Sequence, residues 1–82
     1  MRILEEIVIL VEALKGASFQ DMPIERKRIM MESIDSMFTE MFTKNTPWEK
    51  DIICGSLVTF KRDDWKVELD FEYATVKITQ TF

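Results

Sequence analysis

The side chains that could do catalytic chemistry in this chain are one cysteine, one tyrosine and a set of carboxylates and lysines, with no histidine among them. A cysteine nucleophile needs a neighbouring base or cation to hold its thiolate, and the sequence places only Lys50 near Cys54. Because free cysteine is among the most frequently buried residue types, we interpret Cys54 as a buried structural thiol. Metal-ligand spacing, a phosphate-binding glycine loop and a nucleophile elbow are all missing from the sequence. We therefore expect a protein that is not an enzyme and that binds no metal or cofactor.

A row of acidic residues is a candidate partner-binding feature. It consists of Asp63, Asp64, Glu68, Asp70 and Glu72. Residues two apart on a strand point to the same face, about 6.5–7 Å apart, which is close to the spacing of phosphates along a nucleic-acid strand. One hypothesis is that the row mimics DNA and occupies the site of a DNA-binding partner. The alternative is a solvent face whose charges discourage edge pairing, since Lys66 and Lys77 interleave and the net charge of −4 is modest for a mimic.

The basic cluster of the sequence is formed by Arg26, Lys27 and Arg28. Consecutive helix residues point in different directions, so these cations spread around the helix and do not form one stripe. A nucleic-acid footprint is normally a larger basic patch, and the chain has 11 basic against 15 acidic residues. We interpret the cluster as a solvated face, with contact to a phosphate or an acidic partner as the alternative.

Length and composition limit the class of protein. A chain of 82 residues has room for one domain and one core. Its single cysteine excludes an intrachain disulfide and is typical of a reducing compartment, which predicts a cytoplasmic location. No apolar run reaches the roughly 18–20 residues of a membrane span, and the interrupted N-terminal apolar residues do not fit a signal peptide.

The first predicted element is an amphipathic helix over residues 2–15, with Gly16 as its C-terminal cap. Its main apolar stripe is formed by Ile3, Ile7, Leu10 and Leu14. The stripe is widened by Leu4, Val8 and Val11, and Ile9 lies on the otherwise polar face, so that these four residues extend the apolar surface. A helix that is apolar nearly all round is buried on more than one side, so this second group is a candidate oligomer interface. The β-branched residues leave a buried strand as the alternative.

A second helix is predicted over residues 21–44, opening at Ser18 or Asp21. Asp21 as its N-cap puts Pro23 in the first turn. Its apolar stripe is formed by Met30, Met31, Ile34, Met37, Phe38, Met41 and Phe42. Methionine is flexible and polarizable and fills irregular gaps. We interpret these methionines as core filler, with a partner-binding groove as the alternative.

A short helical turn is predicted over residues 46–53, because Thr46-Pro47-Trp48-Glu49 has the form of a capping box with proline at the first helical position. Trp48 is expected to cover one end of the core. Strands are then predicted over residues 56–61, 65–73 and 75–82.

The strand over residues 65–73 alternates apolar and charged residues without a miss, which predicts a half-buried antiparallel strand whose apolar face runs from Trp65 to Tyr73. With Asp63-Asp64 as a two-residue turn, Phe60 faces Val67, and the large apolar residues of both strands share one face. After Tyr73 the alternation changes parity, which indicates either a third strand or a bulged continuation. A third strand is favoured, because three strands are the minimum for an independently stable sheet.

These elements predict an α+β fold: two amphipathic helices and a short helical turn packed on one face of a small antiparallel sheet, either a hairpin or a three-stranded meander. We expect a small non-enzymatic intracellular regulator or inhibitor that occupies the surface of a protein partner, one version being a DNA mimic. Phage-encoded proteins that act on their hosts often have this composition. The alternative is a structural subunit that forms a homo-oligomer through the first helix, and a weak nucleic-acid binder is a third candidate.

Overall fold

The protein is built on a four-stranded antiparallel sheet whose strands are neighbours in chain order. The computed structural model describes residues 4–16, 18–42 and 48–81. Its strands are β1 (Glu49–Ile53), β2 (Leu57–Arg62), β3 (Trp65–Asp70) and β4 (Thr75–Gln80). The sheet is therefore a meander in which β1 and β4 are the edge strands.

Helical segments precede the sheet. They are α1 (Glu5–Gly16), a 3₁₀ turn (Phe19–Asp21), α2 (Ile24–Ser36) and a π-helical turn (Met37–Phe42) that continues α2 directly. Their buried side chains form one apolar core with residues of the sheet. The predicted α+β fold, with helices followed by an antiparallel sheet, is confirmed.

The core lies between the helices and the inner face of the sheet. Its fully buried apolar side chains are Leu10, Met31, Phe38, Phe60, Val67 and Leu69. Trp48 covers part of this core as predicted, with its ring 5.1 Å from that of Phe38 in an edge-to-face arrangement. Edge-to-face packing brings the positive edge of one ring to the negative face of the other, so it contributes beyond the area buried.

The pairing of β2 with β3 has the predicted register. Arg62 lies opposite Trp65, Phe60 opposite Val67 and Val58 opposite Leu69. The two-residue turn between the strands begins at Asp63, which has a positive φ of 54°, a backbone conformation that aspartate tolerates better than most residues. The alternation of side chains along the strands therefore sends Phe60, Val67 and Leu69 into the core together.

The final segment is a separate strand, as favoured from the sequence, and not a bulged continuation of β3. A turn joins β3 to β4, and the Asp70 carboxylate accepts hydrogen bonds from the backbone N–H groups of Glu72 and Tyr73 at 3.0 and 3.2 Å. Because β3 ends at Asp70, the predicted burial of Tyr73 is wrong, and its side chain is 69% exposed. Ala74 occupies the buried position instead.

The predicted helical turn over residues 46–53 is wrong, because residues 49–53 form the edge strand β1. The capping pattern is a local signal, whereas Ile52 and Ile53 favour extended structure and β2 offers a full set of backbone partners. Tertiary pairing overrides the local preference in this segment.

The inner side of β1 carries one charged residue. Lys50 lies opposite Phe60, and its Nζ lies 3.0 Å from the Asp35 carboxylate and 3.1 Å from the hydroxyl of Thr39. The same ammonium lies 5.7 Å from the centre of the Phe60 ring. Lys50 therefore connects the edge strand to α2 and its π-helical continuation.

The helix boundaries differ from the predicted ones. Asp21 is not the N-cap of the second helix, because it ends the 3₁₀ turn that buries Phe19; α2 begins at Ile24, with Pro23 at the N-cap position and no side-chain cap. Gly16 is the last residue of α1. Residues 2–3, 43–44, 46–47 and 82, which the predicted elements included, lie outside the described residues.

A salt bridge joins the start of α1 to the end of β2. The carboxylate of Glu6, which is itself buried, accepts a 2.7 Å hydrogen bond from the guanidinium of Arg62. Removing one member of such a pair leaves the other charge without its partner in a poorly hydrated place. We infer that this contact fixes α1 against the sheet.

The first prediction concerns this salt bridge. Glu6→Gln keeps the side-chain shape but removes the charge, and we expect it to lower the free energy of unfolding by about 1–2 kcal/mol. Chemical denaturation monitored by circular dichroism measures the change. The matched control is Glu5→Gln, at an exposed position next to it, for which we expect less than about 0.5 kcal/mol. Equal effects of the two substitutions would contradict a specific role for the pair.

Candidate functional site

Cys54 is exposed, so the interpretation of a buried structural thiol is wrong. The residue lies in the loop that joins β1 to β2, where Cys54 and Gly55 both have positive φ angles, of 57° and 71°. A loop that reverses the chain at the edge of a sheet points away from the core, which accounts for the exposure. The described residues contain no group of histidine, cysteine, aspartate and glutamate side chains that could hold a metal ion.

The acidic residues of the predicted row occupy three different parts of the hairpins. Glu68 and Asp70 lie on β3, Asp63 and Asp64 form the turn before it, and Glu72 lies in the turn after it. Two of these carboxylates accept hydrogen bonds within the hairpins: Asp64 accepts one of 2.9 Å from Gln80, and Asp70 caps the β3–β4 turn. The residues therefore do not form one continuous row along a strand.

The outer face of the sheet carries charges of both signs. Alternation and register place on this face the acidic residues Glu49, Asp51, Glu68 and Asp70 and the basic residues Lys61, Lys66 and Lys77. Glu68 lies opposite Lys77 and has its carboxylate 3.6 Å from the ammonium of Lys66. A face of mixed sign has a weak summed potential, so it resembles a nucleic-acid backbone less than the sequence spacing suggests.

The basic cluster is divided among three environments. Arg28 donates hydrogen bonds to the backbone carbonyls of Phe71 and Glu72, at 3.1 and 3.2 Å. Lys27 places its ammonium 5.5 Å from the centre of the Phe19 ring, and Arg26 is exposed to solvent. The cluster therefore does not form one phosphate-binding patch, and Arg28 connects α2 to the β3–β4 turn.

The candidate interface residues of α1 also separate. Leu4 is buried in the core, so its side chain is not part of the exposed surface of α1. Val11 is half-buried against the core. Val8 and Ile9 are 45% and 43% exposed, and they form the part of the predicted interface that a partner can reach.

An apolar groove runs between α1 and the sheet. We define the α1 groove by its lining residues, which are Ile7, Val8, Val11, Glu12, Trp65 and Ile78. Its volume is about 280 Å³. The helix provides one wall and inward-facing residues of β3 and β4 provide the other, because Trp65 and Ile78 belong to the inner side of the sheet. Glu12 supplies the charge at the rim.

Trp65 determines the character of the α1 groove. Its indole N–H is buried and has no hydrogen-bond acceptor among the described residues. The exposed part of this half-buried side chain is therefore ring carbon. Together with Val8, Val11 and Ile78, the ring makes a surface that favours an apolar side chain over a charged one.

The sequence pattern indicates Val8 and Val11 as surface residues but does not indicate the opposite wall of the groove. The strict alternation of β3 correctly places Trp65 on the inner face, yet alternation does not say whether a helix covers that position completely. The available signal was the excess of apolar residues on α1, which indicated more surface than one core contact requires.

Comparison of the chain with protein-family models, with curated proteins and with solved structures found no match. No helix among the described residues is long and apolar enough to cross a membrane.

The second prediction separates structural from functional cations in the basic cluster. Arg28→Ala removes two hydrogen bonds to the β3–β4 turn, and we expect it to lower the free energy of unfolding by about 1–2 kcal/mol. Arg26→Ala is the matched control, since it removes the same group from an exposed position on the same helix. Thermal and chemical denaturation of both variants measure the difference, and a larger loss for Arg26→Ala would contradict the assignment.

Proposed function

We propose that this protein is a non-enzymatic intracellular binding module that recognises an apolar segment of a protein partner in the α1 groove. The observation that carries the proposal is the groove itself, where Val8, Val11 and Trp65 leave apolar surface next to a concave space of about 280 Å³. Apolar surface that remains in contact with water is a source of binding energy, because its burial is favourable.

The size of the groove indicates what it accepts. A space of this volume accommodates one or two side chains, so the expected anchor is a leucine, methionine or phenylalanine of the partner. Burial of one such side chain contributes roughly 1.5–3 kcal/mol. The carboxylate of Glu12 at the rim favours a basic residue beside the anchor, because opposite charges across an interface improve specificity and association rate.

The groove is a better candidate for partner binding than the outer face of the sheet. Shape and apolar character both favour a specific anchor at the groove, and the shared inner position of Trp65 and Ile78 makes its floor a part of the sheet. The outer face offers charges of both signs, which contribute little to affinity when exposed to solvent.

Self-assembly through α1 is the second candidate function. It is supported by the exposure of Ile9, a β-branched apolar residue on the same helix that does not line the groove. In that case a second copy of the chain covers Ile9 and Val8, since symmetric homo-oligomers are the commonest assemblies.

The third prediction tests the α1 groove. Val8→Glu places a carboxylate in the apolar wall, and we expect it to weaken partner binding at least about tenfold, since burying an unpaired charge is costly. The matched control is Ala13→Glu, which puts the same side chain at an exposed position of α1 outside the groove. Each variant serves as bait for proteins of the source cell, and the recovered partner is then titrated as a purified protein by calorimetry.

The outcomes of this experiment are distinct. Binding by the wild type and by Ala13→Glu, with loss in Val8→Glu, supports the groove. Equal affinity of all three proteins for the same partner contradicts it. Recovery of the bait alone, together with an oligomer that Ile9→Glu dissociates, moves the assignment to self-assembly through α1.

A further inference from the structure

The helix α2 has a second apolar stripe that faces away from the core. We define the outer stripe by Met22, Arg26, Ile29, Met30, Met37 and Glu40, with Ser33 at its middle. Glu32 and Ser36 also line the larger concavity and flank the stripe on one side. Ile29 is 64% exposed. It lines both of two shallow concavities on this side of the helix, of about 430 and 630 Å³.

The positions of the outer stripe follow from helix geometry. Residues three, four and seven apart lie on one face of a helix, and Arg26, Ile29, Ser33 and Met37 have this spacing. The core-facing residues of the same helix are Met31, Ile34 and Phe38, all buried. Met22, Met30 and Met37 are half-buried against the core and contribute their remaining surface to the outer side. The helix therefore has an apolar face toward the core and, beside it, an accessible stripe in which Ile29 is the exposed apolar residue.

The charges of the outer stripe are arranged by position. Arg26 lies near the start of α2, and Glu40 lies in the π-helical turn that continues it; both are exposed. Each is seven residues from Ser33, so the two charges lie about 20 Å apart along the helix with Ser33 midway between them. The stripe thus has a positive end, a negative end and a small residue at its centre.

We propose that the outer stripe binds the same stripe of a second copy of this chain, in an antiparallel pair with the two-fold axis beside Ser33. Two-fold symmetry about this point places Arg26 of each copy opposite Glu40 of the other. It also places Ile29 opposite Met37, so apolar residues meet apolar residues on both sides of the axis. The ends of the stripe are therefore complementary in charge and its apolar residues meet one another, as an isologous interface requires. Glu32 lies at the exposed flank of the contact and is not part of these pairs.

The residue at the axis fits this arrangement. A small side chain at a helix crossing lets two helices approach closely. The Ser33 hydroxyl donates a hydrogen bond to the Ile29 carbonyl of its own helix at 3.3 Å, so its proton keeps an acceptor when the contact excludes water. A parallel pair, in contrast, brings Arg26 next to Arg26 and Glu40 next to Glu40, which is unfavourable.

The contact is small, and this determines how it should be measured. One pair of helix faces buries less than the roughly 1,200 Å² that separates stable interfaces from weak and transient ones. We expect a dimer in reversible equilibrium with the monomer, which becomes populated only as the protein concentration rises. Sedimentation equilibrium over a concentration series detects such an association.

The fourth prediction uses this measurement. Ile29→Glu places a carboxylate at the centre of each half of the interface and is expected to weaken dimerisation more than tenfold. The matched control is Ile24→Glu, which introduces the same charge at an exposed apolar position of α2 that lies outside the stripe. Circular dichroism confirms that each variant is folded. A wild-type protein that stays monomeric at every concentration, or a dimer that Ile29→Glu does not weaken, overturns the proposal.

Charge exchange tests the antiparallel orientation. Arg26→Glu and Glu40→Arg each place like charges opposite one another, so each single variant should weaken the dimer. The double variant restores an opposite-charge pair at both ends and should recover dimerisation to within a few-fold of the wild type. If the wild type dimerises and the double variant is folded but does not recover dimerisation, the antiparallel arrangement is overturned.

A cross-link locates the axis. In a Cys54→Ser background, Ser33→Cys places two thiols beside the two-fold axis, and mild oxidation should produce a covalent dimer. Glu25→Cys is the control, because the antiparallel pair separates its two copies by about 24 Å along the helices. Cross-linking of Glu25→Cys as fast as Ser33→Cys overturns the proposed register.

The proposed dimer uses a surface different from the α1 groove, so the two proposals fail separately. Ile9→Glu and Val8→Glu should leave the α2 dimer intact, and Ile29→Glu should leave binding in the α1 groove intact. A dimer that Ile9→Glu dissociates and Ile29→Glu does not contradicts pairing through α2 and supports self-assembly through α1.

Discussion

The pairing of β2 with β3 is the constraint on which the rest of this structure depends. Its register sends Phe60, Val67 and Leu69 to one face, and a slip by one residue would exchange the inner and outer faces of both strands. The helices have an apolar surface to pack against only because this register holds. The same register places Trp65 on the inner side of the sheet, where it becomes part of the α1 groove.

The two edges of the sheet differ in character. On β1, the inward-pointing Lys50 is paired with Asp35, and a charged residue that points inward discourages another strand from adding to the edge. At the opposite edge, Ile78 of β4 lies beneath α1 and helps to form the groove. One edge strand of the sheet thus carries an inward-pointing charge, and the other edge strand borders the apolar α1 groove.

Local alternation was enough to predict the β2–β3 hairpin, because the alternation of apolar and polar residues between Val58 and Leu69 indicates which side chains face the core. It was not enough for β1, where a capping pattern near Trp48 competed with a pairing that exists only once β2 is present. This failure concerns a choice between local preference and tertiary pairing. The exposure of Cys54 was missed for another reason: its burial was predicted from the general tendency of free cysteine to be buried, whereas the residue lies in the loop between β1 and β2.

The candidate sites were harder to predict, because both depend on how completely neighbouring elements cover one another. The α1 groove combines Val8 with Trp65 and Ile78, which lie more than fifty residues away in the chain. The outer stripe could not be recognised in the sequence, because Ile29 and Met30 directly precede Met31 in one apolar run. Only the orientation of α2 shows that Met31 is buried while Ile29 faces solvent. Hydrophobic periodicity identifies a helix face, but only packing decides which apolar residues stay accessible.

The two proposed surfaces lie on different helices, and this has a consequence for binding. The α1 groove is formed against β3 and β4, whereas α2 is fixed to the β3–β4 turn by Arg28 and to β1 by Asp35. The outer stripe and the α1 groove share no residue, so pairing through α2 does not use the lining of the groove. A dimer of this kind presents two identical grooves. A partner with two apolar segments, or a partner that is itself dimeric, can bind both grooves at once. Its second contact is then intramolecular, and the high effective concentration strengthens the overall binding. Weak pairing through α2 would then make binding in the groove depend on the concentration of the protein itself.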